Sequence, residues 1–542
     1  MRKKRVLFVT EATYLNTGYS TYGKNIIQKL VDSGKYEVAE FSIYGTENNK
    51  RRSLIPWKTY PNVPSEDKVS ELAEYNARTL NHFGAWRFER VCLDFKPDVV
   101  LSIRDFWMDS FIYGSPFRRL FSWVWMPTVD ADPQNEEWIH YYSDCDGIIT
   151  YSKYAEEILR KQSGGKIKLF GVASPSASEH FKIMDRPTVR KKLGLPEDAN
   201  IIGTVMRNQR RKLFPLLFSS FGEYLRRSGD LNTFLYCHTS YPDSGWNIAK
   251  LLHQNGISSR VFFSYCCSKC GYFEACKFRD AVKFCPNCQS FTSMPVGVNN
   301  GLDDESLAKV YNSFDGYIQC ANSEGFGIPQ IEAAACGIPI ATVDYSAMSD
   351  VIEYIGATAI EPRAFYEELE TGCRRAVPDQ LSIVNAIEKL KSQKIERNVI
   401  RAKFDEHYSV EKSADVWGKA IDAMPLSDWT VEARLLPEEL IKIEGISHSQ
   451  FIDTCCDNYL IDKRRKYGYD MRRIRQDLNC GMHKSSSDGY LTSEISYSEK
   501  GPMKEFTRDL INQWFVEKAK NSNFWERARV GIISLGEESW LN

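Results

Sequence analysis

Two glutamates eight positions apart, Glu324 and Glu332, bracket the run Gly325-Phe326-Gly327-Ile-Pro. Glycines let backbone N–H groups come close to a ligand, and the N-terminus of a following helix favours a phosphate. Glu332, expected on the first turn of that helix, is placed to reach a sugar or ribose hydroxyl. Arg207 and Lys212, five positions apart behind an apolar strand, offer two cations to a diphosphate. Taken singly, a helix-capping carboxylate and solvated basic side chains account for these residues equally well.

A second group has metal-ligand spacing. Cys267-Ser-Lys-Cys270 and Cys285-Pro-Asn-Cys288 are two CxxC turns with 14 residues between them. Each turn supplies two thiolates, which is what tetrahedral zinc requires, and four thiolates leave no open position for water. The metal expected is therefore one structural zinc. Cys266 could replace Cys267, although the CxxCG spacing favours Cys267; Cys276 is spare. An insertion here would serve as a platform for a large acceptor or as a cap over a nucleotide.

The elements that must position these residues are legible as buried strands alternating with amphipathic helices. Strands are expected at residues 5–10, 36–43, 98–103, 121–126 and 147–151, and again at 200–205, 233–237, 316–320 and 338–343. Helices are expected at residues 20–33, 153–162, 213–227, 247–255, 303–313 and 330–336, with Ser20 or Thr21 capping the first. The pattern implies two doubly wound parallel sheets, which bind ligands at the carboxyl ends of their strands. Gly18 lies in the first such turn. Arg104, Asp105 and Asp130 follow later strands of the first half.

The bounds expected are 1–183 for the first unit and 184–403 for the second, the latter interrupted at 264–295 by the cysteine insertion. A crossover helix at 404–424 and an extension at 425–542 follow. In the extension, residues 463–475 pack seven Lys/Arg and two tyrosines into 13 positions, which would suit phosphate contacts and base stacking, or simply a solvated face.

Composition narrows the classes. Charged residues make up 26% and the net charge is −1, so no global field draws the chain to nucleic acid or anionic lipid. The apolar run at residues 6–10 is too short for a signal-peptide core, and no stretch of 18 apolar residues is present, so a soluble cytoplasmic protein without a membrane span is expected. Fifteen cysteines, an odd number, with six between Cys266 and Cys288, fit a reducing compartment with one metal cluster.

In this order the motifs resemble the retaining, GT-B-fold glycosyltransferases of group one, relatives of glycogen synthase and of mannosyltransferases. The resemblance covers about residues 4–424 outside the insertion. It rests on Glu324/Glu332, Arg207/Lys212, the Gly18 loop, Asp144-Cys-Asp-Gly-Ile-Ile-Thr-Tyr-Ser152, Ala333-Ala-Ala-Cys-Gly-Ile-Pro339 and Trp417 in the crossover segment. It implies an α/β GT-B fold, two Rossmann-like domains facing a cleft, and a nucleotide-sugar held mainly by the second. Arg207 and Lys212 would hold the diphosphate, Glu332 the ribose, and Glu324 with the Gly325–Gly327 backbone the donor sugar; Gly18 would add to the donor side. No catalytic metal is implied.

One departure stands out: where many relatives carry histidine after the acceptor-side strand, this chain has Ile103-Arg104-Asp105. Its tyrosine-rich loops resemble glycosyltransferases of large phage genomes, some of which decorate hydroxymethylated DNA bases. That likeness implies a hydroxymethylated base in DNA as acceptor and the host cytoplasm as location. The zinc insertion and the 463–475 segment would then grip the polymer. A glycan or lipid-linked acceptor is the second possibility, and a nucleic-acid-binding protein on an inactive glycosyltransferase fold the third. The intact set Glu324, Glu332, Arg207 and Lys212 argues against the third.

Overall fold

The computed structural model describes all residues except 1, 16, 116, 298, 299, 428 and 430–542. The basic segment at 463–475, and nearly all of the expected extension, lie outside the described residues.

The first half is a seven-stranded parallel sheet in the order β3-β2-β1-β4-β5-β6-β7. Its strands are β1 (Lys4–Glu11), β2 (Tyr36–Thr46), β3 (Lys58–Val63), β4 (Val99–Ser102), β5 (Ser122–Trp125), β6 (Gly147–Thr150) and β7 (Leu169–Val172). Continuous apolar runs such as Val6-Leu-Phe-Val9 make such strands because helices cover both faces, and all four side chains are fully buried. β3 and β7 were not expected. β3 contains a proline and β7 has no fully buried residue, so neither carries the apolar run of a central strand.

The second half is a nine-stranded sheet whose main path is β12-β13-β10-β9-β8-β14-β15-β16, with β11 paired to β10. It comprises β8 (Asn200–Val205), β9 (Thr233–His238), β10 (Val261–Cys267), β11 (Phe273–Lys277), β12 (Lys283–Cys285), β13 (Ser290–Pro295), β14 (Gly316–Gln319), β15 (Ile340–Val343) and β16 (Thr358–Ile360). From β10 to β16 the path is parallel, whereas β11 and β13 pair with β10 antiparallel. The cysteine insertion is thus a small antiparallel ribbon grown on the end of β10. A separate hairpin, β17 (Pro362–Glu367) with β18 (Arg374–Pro378), follows β16 and was also not expected.

The return to the first half is two helices, Arg397–His407 and Val410–Ala423, rather than one. Ser409 divides them, its side chain accepting from the Lys412 amide at 3.1 Å. Trp417 of the second helix packs 5.5 Å from Phe8 and donates its indole N–H to the Tyr22 hydroxyl at 2.8 Å. The chain is an α/β protein of the GT-B kind. Among the described residues no helix is long and apolar enough to cross a membrane.

Candidate functional site

Glu324 sits in the loop after β14, where the sheet delivers its strand ends. The residue is 4% exposed, and a buried carboxylate needs partners. It has three: the Lys212 ammonium, Arg211 Nη1 at 2.7 Å and Gln319 Nε2 at 2.6 Å. Its backbone N–H donates to Ser346 Oγ at 2.9 Å. Burial, reinforced by neighbouring Arg211, pushes the Lys212 ammonium well below the usual lysine range. The structure therefore places Lys212 on Glu324.

Arg207 stands apart from that pair. It makes a two-toothed ion pair with Asp243, Nε to Oδ2 at 3.1 Å and Nη2 to Oδ1 at 3.0 Å, and its side chain is 54% exposed. Burial alone would raise the Asp243 carboxyl, but the bonds from Arg207 and Ser240 outweigh it and hold it at about 2. Arg211, inside the same run, was missed. Only its place beside Glu324 distinguishes it from Arg210.

The helix after the glycine loop spans Ile328–Ala335, so Glu332 is on its second turn, not the first. It accepts from the Tyr311 hydroxyl at 2.6 Å, and burial lifts its carboxyl to about 7. Gly327 adopts φ +88°, which favours glycine, and an added Cβ would lie 2.3 Å from the Gln330 amide nitrogen. At Gly325 the constraint is space: a Cβ would fall 2.4 Å from Thr128 Cγ2 of the first half. Phe326 turns its ring inward against Tyr408 at 5.8 Å, leaving only its backbone to the loop. Gly18 begins the first helix, capped by Thr17 instead of Ser20 or Thr21, because Thr17 Oγ1 accepts from the Ser20 amide at 3.1 Å. A Cβ on Gly18 would lie 3.5 Å from Ile328, so the two glycine loops face each other across the cleft.

The first half answers with carboxylates. Asp105 accepts from the Tyr19 hydroxyl at 3.1 Å, and burial lifts it to about 6. Asp130 receives Ser323 Oγ at 3.2 Å and Arg375 Nη1 at 2.8 Å, so a residue of β18 joins the two halves beside the loop of Glu324. Arg374 does the same to Asp132. Arg375 was missed because nothing local marks a hairpin arginine that pairs with Asp130, 245 positions away. Arg104 requires a correction as an acceptor-side candidate. It is fully buried, paired with Asp109 and donating to the Phe83 carbonyl at 3.0 Å, so it braces the loop and faces no cleft.

In the ribbon the sulfurs of Cys267, Cys270, Cys285 and Cys288 lie within 4.8 Å of one another. Cys267 to Cys288 is 3.5 Å and Cys270 to Cys285 is 3.7 Å. Thiolates on tetrahedral zinc at about 2.3 Å stand about 3.8 Å apart, so the set fits that ion. Hydroxyls of Thr292 and Ser290 approach Cys267 and Cys288 at 3.0 Å each, and Asn287 donates to Cys270 at 3.3 Å, as outer partners of thiolate ligands do. Cys266 is buried outside the cluster, so of the two it is Cys267 that is placed to bind an ion.

Residues 295–402 match the sequence profile of the family described as glycosyl transferases group 1. No curated protein sequence matches the chain. Among solved structures, sucrose-phosphate synthase from Thermosynechococcus elongatus superposes with a TM-score of 0.53 at 17% identity, over 77% of this chain and 98% of that one. A glycosyltransferase from Rickettsia africae gives 0.52 at 13% identity, covering 78% and 98%. The Anabaena protein HepE in complex with UDP gives 0.51 at 12% identity, covering 78% and 100%. At such identities the likeness establishes the fold. With the matched segment, it makes this chain similar to the GT-B glycosyltransferases of group 1.

Proposed function

We propose that the chain is a retaining glycosyltransferase that moves a sugar from a nucleotide-sugar to a hydroxyl acceptor. The observation behind this reading is the convergence of Lys212, Arg211 and Gln319 on Glu324 within the glycine loop, eight residues before Glu332. In the reaction the bond from sugar C1 to the diphosphate oxygen breaks as the acceptor oxygen bonds C1 on the same face. The acceptor proton passes to the departing phosphate, and the sugar keeps its anomeric configuration. Arg207 and Lys212 stabilise the charge that develops on the diphosphate, the work a divalent ion performs in other enzymes. Glu332, held by the buried Tyr311 hydroxyl, meets the ribose. UDP, bound in the Anabaena structure, is the first nucleotide to try. The four cysteines hold a structural zinc.

The acceptor in this reading is a hydroxymethylated base in DNA, supported by the seven basic residues at 463–475. A glycan acceptor is the second reading. It is favoured by Asp105, a carboxylate of the first half with no paired cation among the described residues, which would receive a bond from a sugar hydroxyl, while Asp130 and Asp132 are paired with Arg375 and Arg374. The test is transfer from pooled nucleotide-sugars to duplex DNA carrying 5-hydroxymethylcytosine or 5-hydroxymethyluracil, read by nucleoside mass, with Glu324→Ala as control. A one-sugar mass gain lost in the variant supports DNA. Donor hydrolysis without a mass gain moves the acceptor to glycans, and activity retained in Glu324→Ala overturns the role of Glu324.

A further inference from the structure

The cysteine ribbon leaves the second sheet at the carboxyl end of β10, the edge where the site lies, and returns through β13 to Val296. There it meets the segment 240–246. The Val296 carbonyl accepts from the Tyr241 amide at 3.1 Å. The Tyr241 ring stands edge-on to Phe278 of the ribbon at 5.1 Å, and its hydroxyl donates to Asp280 at 3.2 Å. Phe278 in turn packs 5.0 Å from Phe263 of β10.

The same segment binds the Arg207 guanidinium and the backbone of Lys212, the two residues of the proposed diphosphate grip. Asp243 binds the guanidinium of Arg207 through two bonds, at 3.1 and 3.0 Å. Ser240 Oγ accepts from the Asn208 amide at 3.2 Å, and the Asn208 side chain exchanges two bonds of 2.8 Å with the backbone of Trp246. The Trp246 indole N–H then donates to the Lys212 carbonyl at 2.8 Å. Gly245 lies so close that a Cβ would be 2.4 Å from the Asn208 carbonyl oxygen. A guanidinium on a half-exposed side chain loses much rotamer freedom on binding unless it is already held, so what holds the segment sets part of the affinity.

We infer that the ribbon is a donor-affinity element: through Tyr241 and Phe278 it fixes the 240–246 segment, which aims Arg207 and Lys212 at the diphosphate. This replaces a platform for the acceptor as the ribbon's task. It rests on the reading of Arg207 and Lys212 as the diphosphate grip. Tyr241 is a positioning residue.

Inorganic pyrophosphate, which presents a diphosphate without base or sugar, is the probe, titrated by calorimetry into the zinc-loaded full chain. Tyr241→Ala should bind it roughly tenfold more weakly while keeping one zinc per chain by metal analysis; a tenfold change is about 1.4 kcal/mol. In an Arg207→Ala background the same change should cost much less, because coupled residues are not additive. Cys285→Ser/Cys288→Ser should reproduce the loss, and where that variant does not fold, Phe278→Ala takes its place. In transfer assays kcat/KM for the donor should fall by a similar factor, because the same two cations carry the leaving charge. Wild-type affinity in Tyr241→Ala, or a full additive loss in the Arg207→Ala background, would overturn the inference. Wild-type affinity in Arg207→Ala alone would instead sink the diphosphate reading beneath it, and the inference with it.

Discussion

Arg104/Asp109 and Arg207/Lys212 are two pairs at the same spacing of five, each just beyond a strand of a parallel sheet. In the first, opposite charges sit within one loop. They close on each other, and both side chains are fully buried. In the second, two like charges cannot pair, so each seeks a carboxylate elsewhere: Arg207 finds Asp243, and Lys212 finds Glu324 across 112 positions. The sign of one residue decides whether a strand-end loop folds onto itself or reaches toward the cleft. A charge pair that closes locally braces its own segment, whereas one that cannot is available for chemistry.

The first pair can be broken most severely. Asp109→Ala leaves the Arg104 guanidinium buried without its counter-ion and should cost about 3–5 kcal/mol in urea unfolding, whereas replacing both residues by apolar ones should recover most of that. Breaking the second pair should cost less stability, because Arg211 and Gln319 remain on Glu324 when Lys212 is lost, and should strike the reaction. Lys212→Ala should lower transfer by roughly 10²–10³-fold with an unchanged far-ultraviolet spectrum. A Lys212→Ala variant that unfolds while keeping its specific activity would erase the contrast.

The smallest effect sharpens the acceptor side. Asp105, raised to about 6 by burial, should give the pH profile of kcat/KM an inflection near that pH, which Asp105→Asn removes. Because the folded state holds that proton to higher pH than the unfolded chain, this group's contribution to stability falls as pH rises from about 4 through 6. Unfolding of Asp105→Asn should therefore be less pH-dependent in that window.

Central strands such as β1 and β8 were legible because burial on both faces demands continuous apolar runs. β3 and β7 at the sheet margins, and the β17–β18 hairpin, lacked that demand and left no trace, and the buried strand β10 was also missed, its apolar run ending in the cysteines of the insertion. Glu324, Glu332, Arg207 and Lys212 could be picked out because the loop chemistry is local. Arg211, Gln319 and Arg375 could not, since each matters only through a partner that the fold brings from far along the chain. Arg104 misled for the same reason: its neighbour Asp109 was in view, but whether the two would meet depended on backbone not yet placed.

The ribbon also decides how the second sheet ends. A long parallel strand such as β10 at an open margin would present a row of unpaired N–H and C=O groups to any other chain. Instead the margin passes to β12, three residues that include Lys283 and an irregular register, with the Phe284 and Phe291 rings edge to face at 5.5 Å across the pair. So short and uneven a border offers another strand few N–H and C=O groups to extend, and the residues that supply it are the same few that gather four sulfurs.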